Sequence, residues 1–351
     1  MACAAGAVAI LAAGLPVHHT EQGPAWHTAM TVQAAGASLN DVVATGARQA
    51  WAVGSSAAGQ PVVYRWDGTR WQQAARPGPG SAAASVAASS PGNVWVSLAG
   101  AAALEHWNGH AWSRTGFGAP GRVDISGLTT TGRKNVWTFT YDSKTRKETA
   151  FHYNGRKWRG TRLPVSMGSG GSVRLASATS RHNVWAWGYD QRRGRWVSLH
   201  FNGRKWRVIG LPAGLLPAGR TVLPEQMLAR SRKNVWGTVY AASGSTRGPV
   251  VLVHWNGHHW RRVTRGLPAG GLAGPMAPDG HGGLWLAAMR PGGAGYLAHY
   301  RHGHWYEAAV PAAAVSVSAL AHIPGTSWLW GAATAGTSPG SSRGSVIMRY
   351  S

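Results

Sequence analysis

The sequence predicts an all-β fold, a seven-bladed β-propeller of four-stranded antiparallel blades, closed by the N-terminal strand completing the last blade. Three observations predict it. First, a Trp ends a β-like run at Trp51, Trp95, Trp137, Trp185, Trp236, Trp285 and Trp330, at spacings of 42 to 51 residues. That is the length of one propeller blade. Second, an aromatic-Asn-Gly-x-x-Trp motif alternates with these Trps. It runs Trp66-Asp67-Gly68 to Trp71, Trp107-Asn108-Gly109 to Trp112, Tyr153-Asn154-Gly155 to Trp158, Phe201-Asn202-Gly203 to Trp206 and Trp255-Asn256-Gly257 to Trp260. A degraded copy spans Tyr300 to Trp305, with Gly303 displaced by one place. Third, the two chain ends are complementary fragments of this repeat.

Each blade can be ordered from these motifs. Asn-Gly or Asp-Gly between β-like runs marks a tight hairpin. With Asn108-Gly109 as a two-residue loop, Trp107 would pair with His110 and Glu105 with Trp112, leaving Trp107 and Trp112 on one face. These runs are strands c and d. The Asn-Val-Trp runs at Asn93, Asn135, Asn183 and Asn234 belong to strand b. The small-residue runs before them, such as Val42-Val43-Ala44-Thr45, Leu128-Thr129-Thr130-Thr131 and Ala176-Ser177-Ala178-Thr179, are strand a. Small side chains suit the crowded inner wall of a tapering ring.

The ends predict closure. Gly23-Pro24-Ala25-Trp26 matches the d-strand start Gly109-His110-Ala111-Trp112, but no a, b or c strand precedes it. Met348-Arg349-Tyr350 ends a c strand with no d strand after it. Joining the two leaves no open sheet edge. Of the 20 Trps, 17 then occupy repeated b, c or d positions, whose default role is packing between blades. Residues 21–351 read as this single domain.

Residues 1–20 read as a signal-peptide-like or disordered segment. Ala2 to Leu15 is apolar but too short to span a bilayer in the usual way, so no membrane span is expected in the mature chain. Export to the medium or the cell envelope is the expectation. Cys3 is the only cysteine, which leaves no intramolecular disulfide to form.

The motifs Trp51-Ala52-Val53-Gly54 and His254-Trp255-Asn256-Gly257-His258-His259-Trp260 resemble those of secreted propellers of high-GC bacteria. Those proteins are grouped loosely with kelch-like and galactose-oxidase-like propellers. The resemblance covers nearly the whole chain after about residue 20 and implies a fold rather than one activity. Galactose-oxidase-type copper chemistry needs a Tyr joined to a Cys, and Cys3 lies outside the blades. Asp67-Gly68-Thr69-Arg70-Trp71 only looks like a sialidase Asp-box, because its Gly follows the Asp directly. The His-Glu-His cluster of streptogramin-type lyases has no counterpart, nor do the repeated acids of fungal fucose lectins.

The chain carries 35 Lys and Arg against 11 Asp and Glu, a formal charge of +24. Such a field favours anionic partners, although Arg-, Ala- and Gly-rich composition of this kind also follows from GC-rich coding. Position is more telling than total. In an up-down-up-down blade the a–b and c–d turns leave the same face. The a–b turns of the third to fifth blades carry Arg133-Lys134, Arg181-His182 and Arg232-Lys233, and their c–d turns carry Arg156-Lys157, Arg204-Lys205 and His258-His259. No acid interrupts them, and Arg159, Arg207, Arg261 and Arg262 follow closely. The candidate anion-binding residues are therefore Arg133, Lys134, Arg156, Lys157, Arg181, Arg204, Lys205, Arg232 and Lys233.

Other chemistries find fewer residues. His106, His152, His200, His254 and His299 precede the aromatic of their c strands, with Arg65 and Arg349 in the remaining blades. One per blade spreads them around a ring, too far apart for one metal ion, so a structural role is expected, with each ring N–H satisfied by a neighbouring loop. His258, His259, His302 and His304 cluster in adjacent c–d turns without a carboxylate or thiolate, and no metal or cofactor is expected. Acid–base catalysis needs positioned carboxylates. Asp41, Asp124, Asp142, Glu148, Asp190, Glu225 and Asp279 are scattered; only Asp142 and Asp190 take like places in neighbouring b–c loops.

The resulting expectation is a monomeric, non-enzymatic binding or scaffolding propeller for an anionic polysaccharide or envelope polymer, with nucleic acid admitted on charge alone. One alternative is a lectin for neutral sugars that uses aromatics between blades, with Trp187 and Trp196 taken as exposed. The other is a lyase or hydrolase at the mouth of the central channel.

Overall fold

The computed structural model describes residues 24–351 except 119–122, 143, 146, 166–173, 213, 216–220, 244–245, 264–271, 291–294, 313 and 337–341. Residues 1–20, the proposed export segment, lie outside the described residues. All of the regular structure described is β, arranged as seven four-stranded antiparallel sheets.

Strands a to d of blade 1 are Ser38–Gly46, Gln49–Ser55, Pro61–Trp66 and Trp71–Gln73. Blade 2 comprises Ala83–Ser90, Asn93–Leu98, Ala103–Trp107 and Trp112–Gly116. Blade 3 comprises Val123–Gly132, Asn135–Asp142, Lys147–Tyr153 and Trp158–Arg162. Blade 4 follows as Arg174–Ser180, Asn183–Asp190, Arg195–Phe201 and Trp206–Gly210, and blade 5 as Thr221–Ser231, Asn234–Ser243, Thr246–Trp255 and Trp260–Val263. Blade 6 is Leu272–Pro278, Leu284–Met289, Gly295–Arg301 and His304–Ala308. Blade 7 takes strands a to c from Ala314–His322, Leu329–Gly336 and Ser342–Tyr350. Its outer strand is Trp26–Val32, which pairs antiparallel with Ser342–Tyr350, Trp26 opposite Tyr350. The N-terminal closure read from the sequence is the one observed. The a strands touch in an unbroken circuit, blade 7 meeting blade 1.

One packing unit recurs at every blade junction. The b-strand Trp stacks on, or lies beside, the c-strand His or Arg of its own blade, and meets the c–d aromatics of the next, Trp236 through Tyr300 and the other six through both members of the pair. Trp137 stacks on His152 at 4.4 Å between ring centres, then meets Phe201 at 4.8 Å and Trp206 at 5.6 Å from blade 4. At the closing junctions Trp285 meets Trp26 and Tyr350, and Trp330 meets Trp66 and Trp71. The seven b-strand Trps are all buried. Such edge-to-face and tilted pairs add to the area they bury.

The c–d hairpin differs from its expected register by two residues. Trp107 pairs directly with Trp112, His106 with Ser113 and Glu105 with Arg114. Asn108 accounts for the longer loop, because its Oδ1 accepts from the N–H groups of His110 at 2.9 Å and Ala111 at 3.0 Å. The Asn is thus selected as a side-chain acceptor rather than for a left-handed backbone. Only Gly109 takes positive φ, at 109°. Asp67, Asn154, Asn202 and Asn256 cap their turns through the same two bonds.

Candidate functional site

The a–b and c–d turns of blades 3, 4 and 5 lie side by side on one face. A Cβ on Gly155 would sit 2.6 Å from Lys134 Cγ, and one on Gly257 would sit 2.8 Å from Lys233 Cγ. On Gly203 it would overlap the His182 ring. The second residue of each a–b turn therefore lies across the glycine of its own c–d turn. Glycine is required there twice over, since φ is +93°, +97° and +99° at Gly155, Gly203 and Gly257.

This contact brings all nine candidate cations to one face: Arg133, Lys134, Arg156, Lys157, Arg181, Arg204, Lys205, Arg232 and Lys233 are exposed. Arg159, Arg207, Arg261 and Arg262 are exposed on the adjoining d strands. Some of the turn arginines also tie the face together. Arg232 Nη2 donates to the His182 carbonyl of blade 4 at 3.1 Å. The Arg133 guanidinium lies against Gly92 of blade 2. Arg181 instead turns on its neighbour, with Nε 2.7 Å from His182 Nε2.

The described carboxylates in ion pairs lie elsewhere. Glu105 is bonded by Arg114 at 2.6 Å, Asp190 by Arg193 at 2.8 Å, and Glu307 by Arg290, while Asp67 lies 4.0 Å from Arg70 in blade 1 and Asp279 meets His299 in blade 6. Asp142 and Asp190, the loop acids of neighbouring blades, are each absorbed locally. Asp142 accepts from the Lys144 and Thr145 N–H groups and the Thr145 hydroxyl. These bonds, the Thr145 side chain foremost, hold it below the usual carboxylate range. Asp190 is lowered chiefly by its bond from Arg193. Each carboxylate serves its own loop. The Asp124 side chain falls outside the described residues.

Four of the five c-strand histidines are held from strand b rather than from a neighbouring loop as expected. His200 Nε2 is 2.8 Å from Asn183 Oδ1, an acceptor only, so Nε2 carries the proton. The same Oδ1 accepts from Trp185 Nε1 at 3.0 Å, and Asn183 Nδ2 donates to Thr179 Oγ1 at 2.6 Å. Asn93 and Asn135 repeat the arrangement with Trp95–His106 and Trp137–His152. Where strand b begins differently, the partner changes with it. Blade 6 has Gly283 at that place, and Asp279 fills the space, 3.0 Å from His299 Nε2. Blade 1 has Gln49, whose Oε1 accepts from Arg65. Burial lowers His106, His152, His200 and His254, to about 4 in the last two; nearby arginines add to it at His106, His200 and His254.

Two expectations about other residues change. Trp187 and Trp196 are buried, at 0% and 7% exposure, so neither is a free stacking platform. Trp187 donates to the Gln226 carbonyl and Trp196 packs on Tyr189; the lone Trps read as exposed are inter-blade core. Asp41, a scattered acid in sequence, joins two blades: it accepts from the Val42 and Val86 N–H groups at 2.8 and 2.9 Å. Loss of surrounding water pushes it up to about 7. His258, His259, His302 and His304 are exposed turn residues. Among the described residues no group of three or more His, Cys, Asp or Glu is placed to hold a metal ion, and no helix is long and apolar enough to cross a membrane.

The chain is similar to solved β-propeller proteins. A catalytically inactive virginiamycin B lyase from Staphylococcus aureus with quinupristin superposes with a TM-score of 0.64 at 10% identity, over 94% of this chain and 100% of that one. A YCF48 bound to a D1 peptide gives 0.61 at 14% identity, over 94% and 98%. The GH74 xyloglucanase from Xanthomonas campestris gives 0.62 at 14% identity, over 90% of this chain and 54% of that one. At these identities the likeness shows the fold alone. No protein-family model matches the chain, and no curated protein matches it.

Proposed function

We propose that this propeller is a non-enzymatic binding or scaffolding protein of the medium or cell envelope, which recognises an anionic polysaccharide or envelope polymer through the basic turn face of blades 3 to 5. The observation that carries the reading is the adjacency of the a–b and c–d turns, which gathers cations from three blades. Exposed Lys and Arg suit repeated phosphate, sulfate or carboxylate groups. The c–d turns favour side-chain recognition over a backbone nest, because the Asn side chains already hold two N–H groups of each turn. The repeat motifs support grouping the chain with the secreted kelch-like propellers of high-GC bacteria.

A glycan and polyanion array at two salt concentrations tests the reading. Binding to acidic polymers that falls steeply with salt supports it, each contacted phosphate adding roughly 0.7–0.9 to the log–log slope if the polymer resembles a nucleic acid. Salt-insensitive binding to neutral sugars would replace it with a lectin, and preference for nucleic acid over acidic glycans would replace the partner. Turnover of any array polymer would replace it with a lyase or hydrolase.

A further inference from the structure

Resting on that reading, we propose that the junction of blades 4 and 5 is an anchoring subsite, in which Arg207 and Arg232 together hold one phosphate group of the polymer. Arg207 comes from strand d of blade 4, directly opposite His200 on strand c. Arg232 comes from the a–b turn of blade 5 and leans back across the junction to the His182 carbonyl. Its own carbonyl is fixed by the buried Trp255, whose Nε1 donates to it at 3.1 Å. His200 is fixed as well, stacked on Trp185 at 4.2 Å and bonded through Nε2 to Asn183. Arg207 on the ladder beside His200, and Arg232 clipped to His182 next to the Asn183 that holds His200, thus approach one rigid ring from two blades, and no described carboxylate pairs with either.

The other junctions are internal controls. Between blades 2 and 3 the arm from the a–b turn is Arg133, but the d-strand place opposite His106 is Ser113. Between blades 3 and 4 Arg159 stands opposite His152, but Arg181 is turned onto His182. Between blades 5 and 6 Arg261 reaches His254 Nδ1 at 3.5 Å, while the a–b turn of blade 6 offers Gly280-His281-Gly282 instead of an arginine. Of these four, only the blade 4–5 junction combines both arms. Burial first, then Arg232 and Arg207, push His200 down to about 4; burial and Arg261 bring His254 as low, and burial alone is the cause at His152. Like charges held together without a counter-charge favour an anion between them. A phosphate bidentate to one guanidinium and in contact with the second would satisfy both forks.

His200 then reports occupancy. A bound anion offsets the two cations, so the imidazole becomes easier to protonate, and by reciprocity acid strengthens phosphate binding. The experiment is imidazole NMR titration of the full protein, alone, with inorganic phosphate and with polyphosphate of several chain lengths. We expect the His200 midpoint to rise by about one unit with phosphate, His152 to stay unmoved, and polyphosphate to act at lower phosphate concentration. Arg207→Gln, which leaves the Arg232 clip intact, should weaken phosphate binding about tenfold, and Arg232→Gln should do likewise. The subsite is overturned if phosphate and polyphosphate leave His200 where it is, or shift His152 equally. If the polymer still binds the basic face in that case, the broader reading stands without the subsite. If His200 responds to phosphate but no acidic polymer binds, the subsite stands and the broader reading falls.

Discussion

Asn183 holds three groups with one amide: Trp185, His200 and Thr179. Replacing it by Ala would strand two donors in the blade interior, each costing about 1–3 kcal/mol. We expect Asn183→Ala to lower unfolding stability by about 2–4 kcal/mol in urea denaturation, and an unchanged midpoint would refute the triad. The titrating residues also set a pH profile. His106, His152, His200 and His254 are lowered in the fold, so the unfolded chain takes up protons first as pH falls from 6.5, and stability drops towards pH 4. Asp41 opposes them. Its raised value means that the folded chain keeps a proton longer, a contribution present below the unfolded value of 3.8 and lost as pH rises through about 7. Asp41→Asn should therefore steepen the gain of stability between pH 4 and 7, measured as urea midpoint against pH. A flatter profile would contradict the sign.

The strand Trp26–Val32 is the element on which closure depends. Apart from Trp26, its side chains are exposed or only half-buried. What it supplies is the ladder to Ser342–Tyr350 and the Trp26 ring, 5.6 Å from both Trp285 and Tyr350. Trp26→Ala should cost about 3–5 kcal/mol, and removal of residues through Val32 should unfold the ring cooperatively in a thermal melt. Survival of a fully folded ring without this strand would show that blade 7 is stable with three strands. The exposed d strands of blades 3 to 5 carry Arg159, Arg162, Arg207, Arg261 and Arg262. Charges on such edges discourage pairing with another chain, a use compatible with the proposed anion binding.

At the scale of the whole molecule, a closed ring makes the basic face rigid, so the proposed polymer binding would incur little ordering cost on the protein side. The sector spans three neighbouring blades. Changing Lys134, Lys157, Lys205 and Lys233 together to Glu should abolish binding of acidic polymers and remove most of its salt dependence. The fold should survive, because all four side chains are exposed. Equal changes at Arg192, Arg193 and Arg195, at the b–c turn of blade 4, should leave binding within about twofold. Comparable losses from both sets would mean that total charge, not one face, does the binding.

The blade count, the strand order and the closing strand were legible in the sequence, because each blade needs a large aromatic at fixed b, c and d places, and few folds besides a propeller need Trp at that period. The basic turn pairs were legible for a related reason, since strand alternation fixes which turns share a face. The hairpin register was not legible: Asn-Gly suggests a two-residue loop, and only the folded turn shows Asn108 Oδ1 capping two N–H groups and moving Trp107 opposite Trp112. Trp187 and Trp196 stand outside the repeat, so their burial depended on the neighbouring strands. The partners of the histidines came likewise from packing, as Asp279 shows by filling the space left at Gly283. The approach of Arg207 and Arg232 to His200 was decided by tertiary structure alone. A period in sequence specifies which residues are equivalent, but the meeting of side chains from adjacent blades depends on the angle at which the ring brings their faces together.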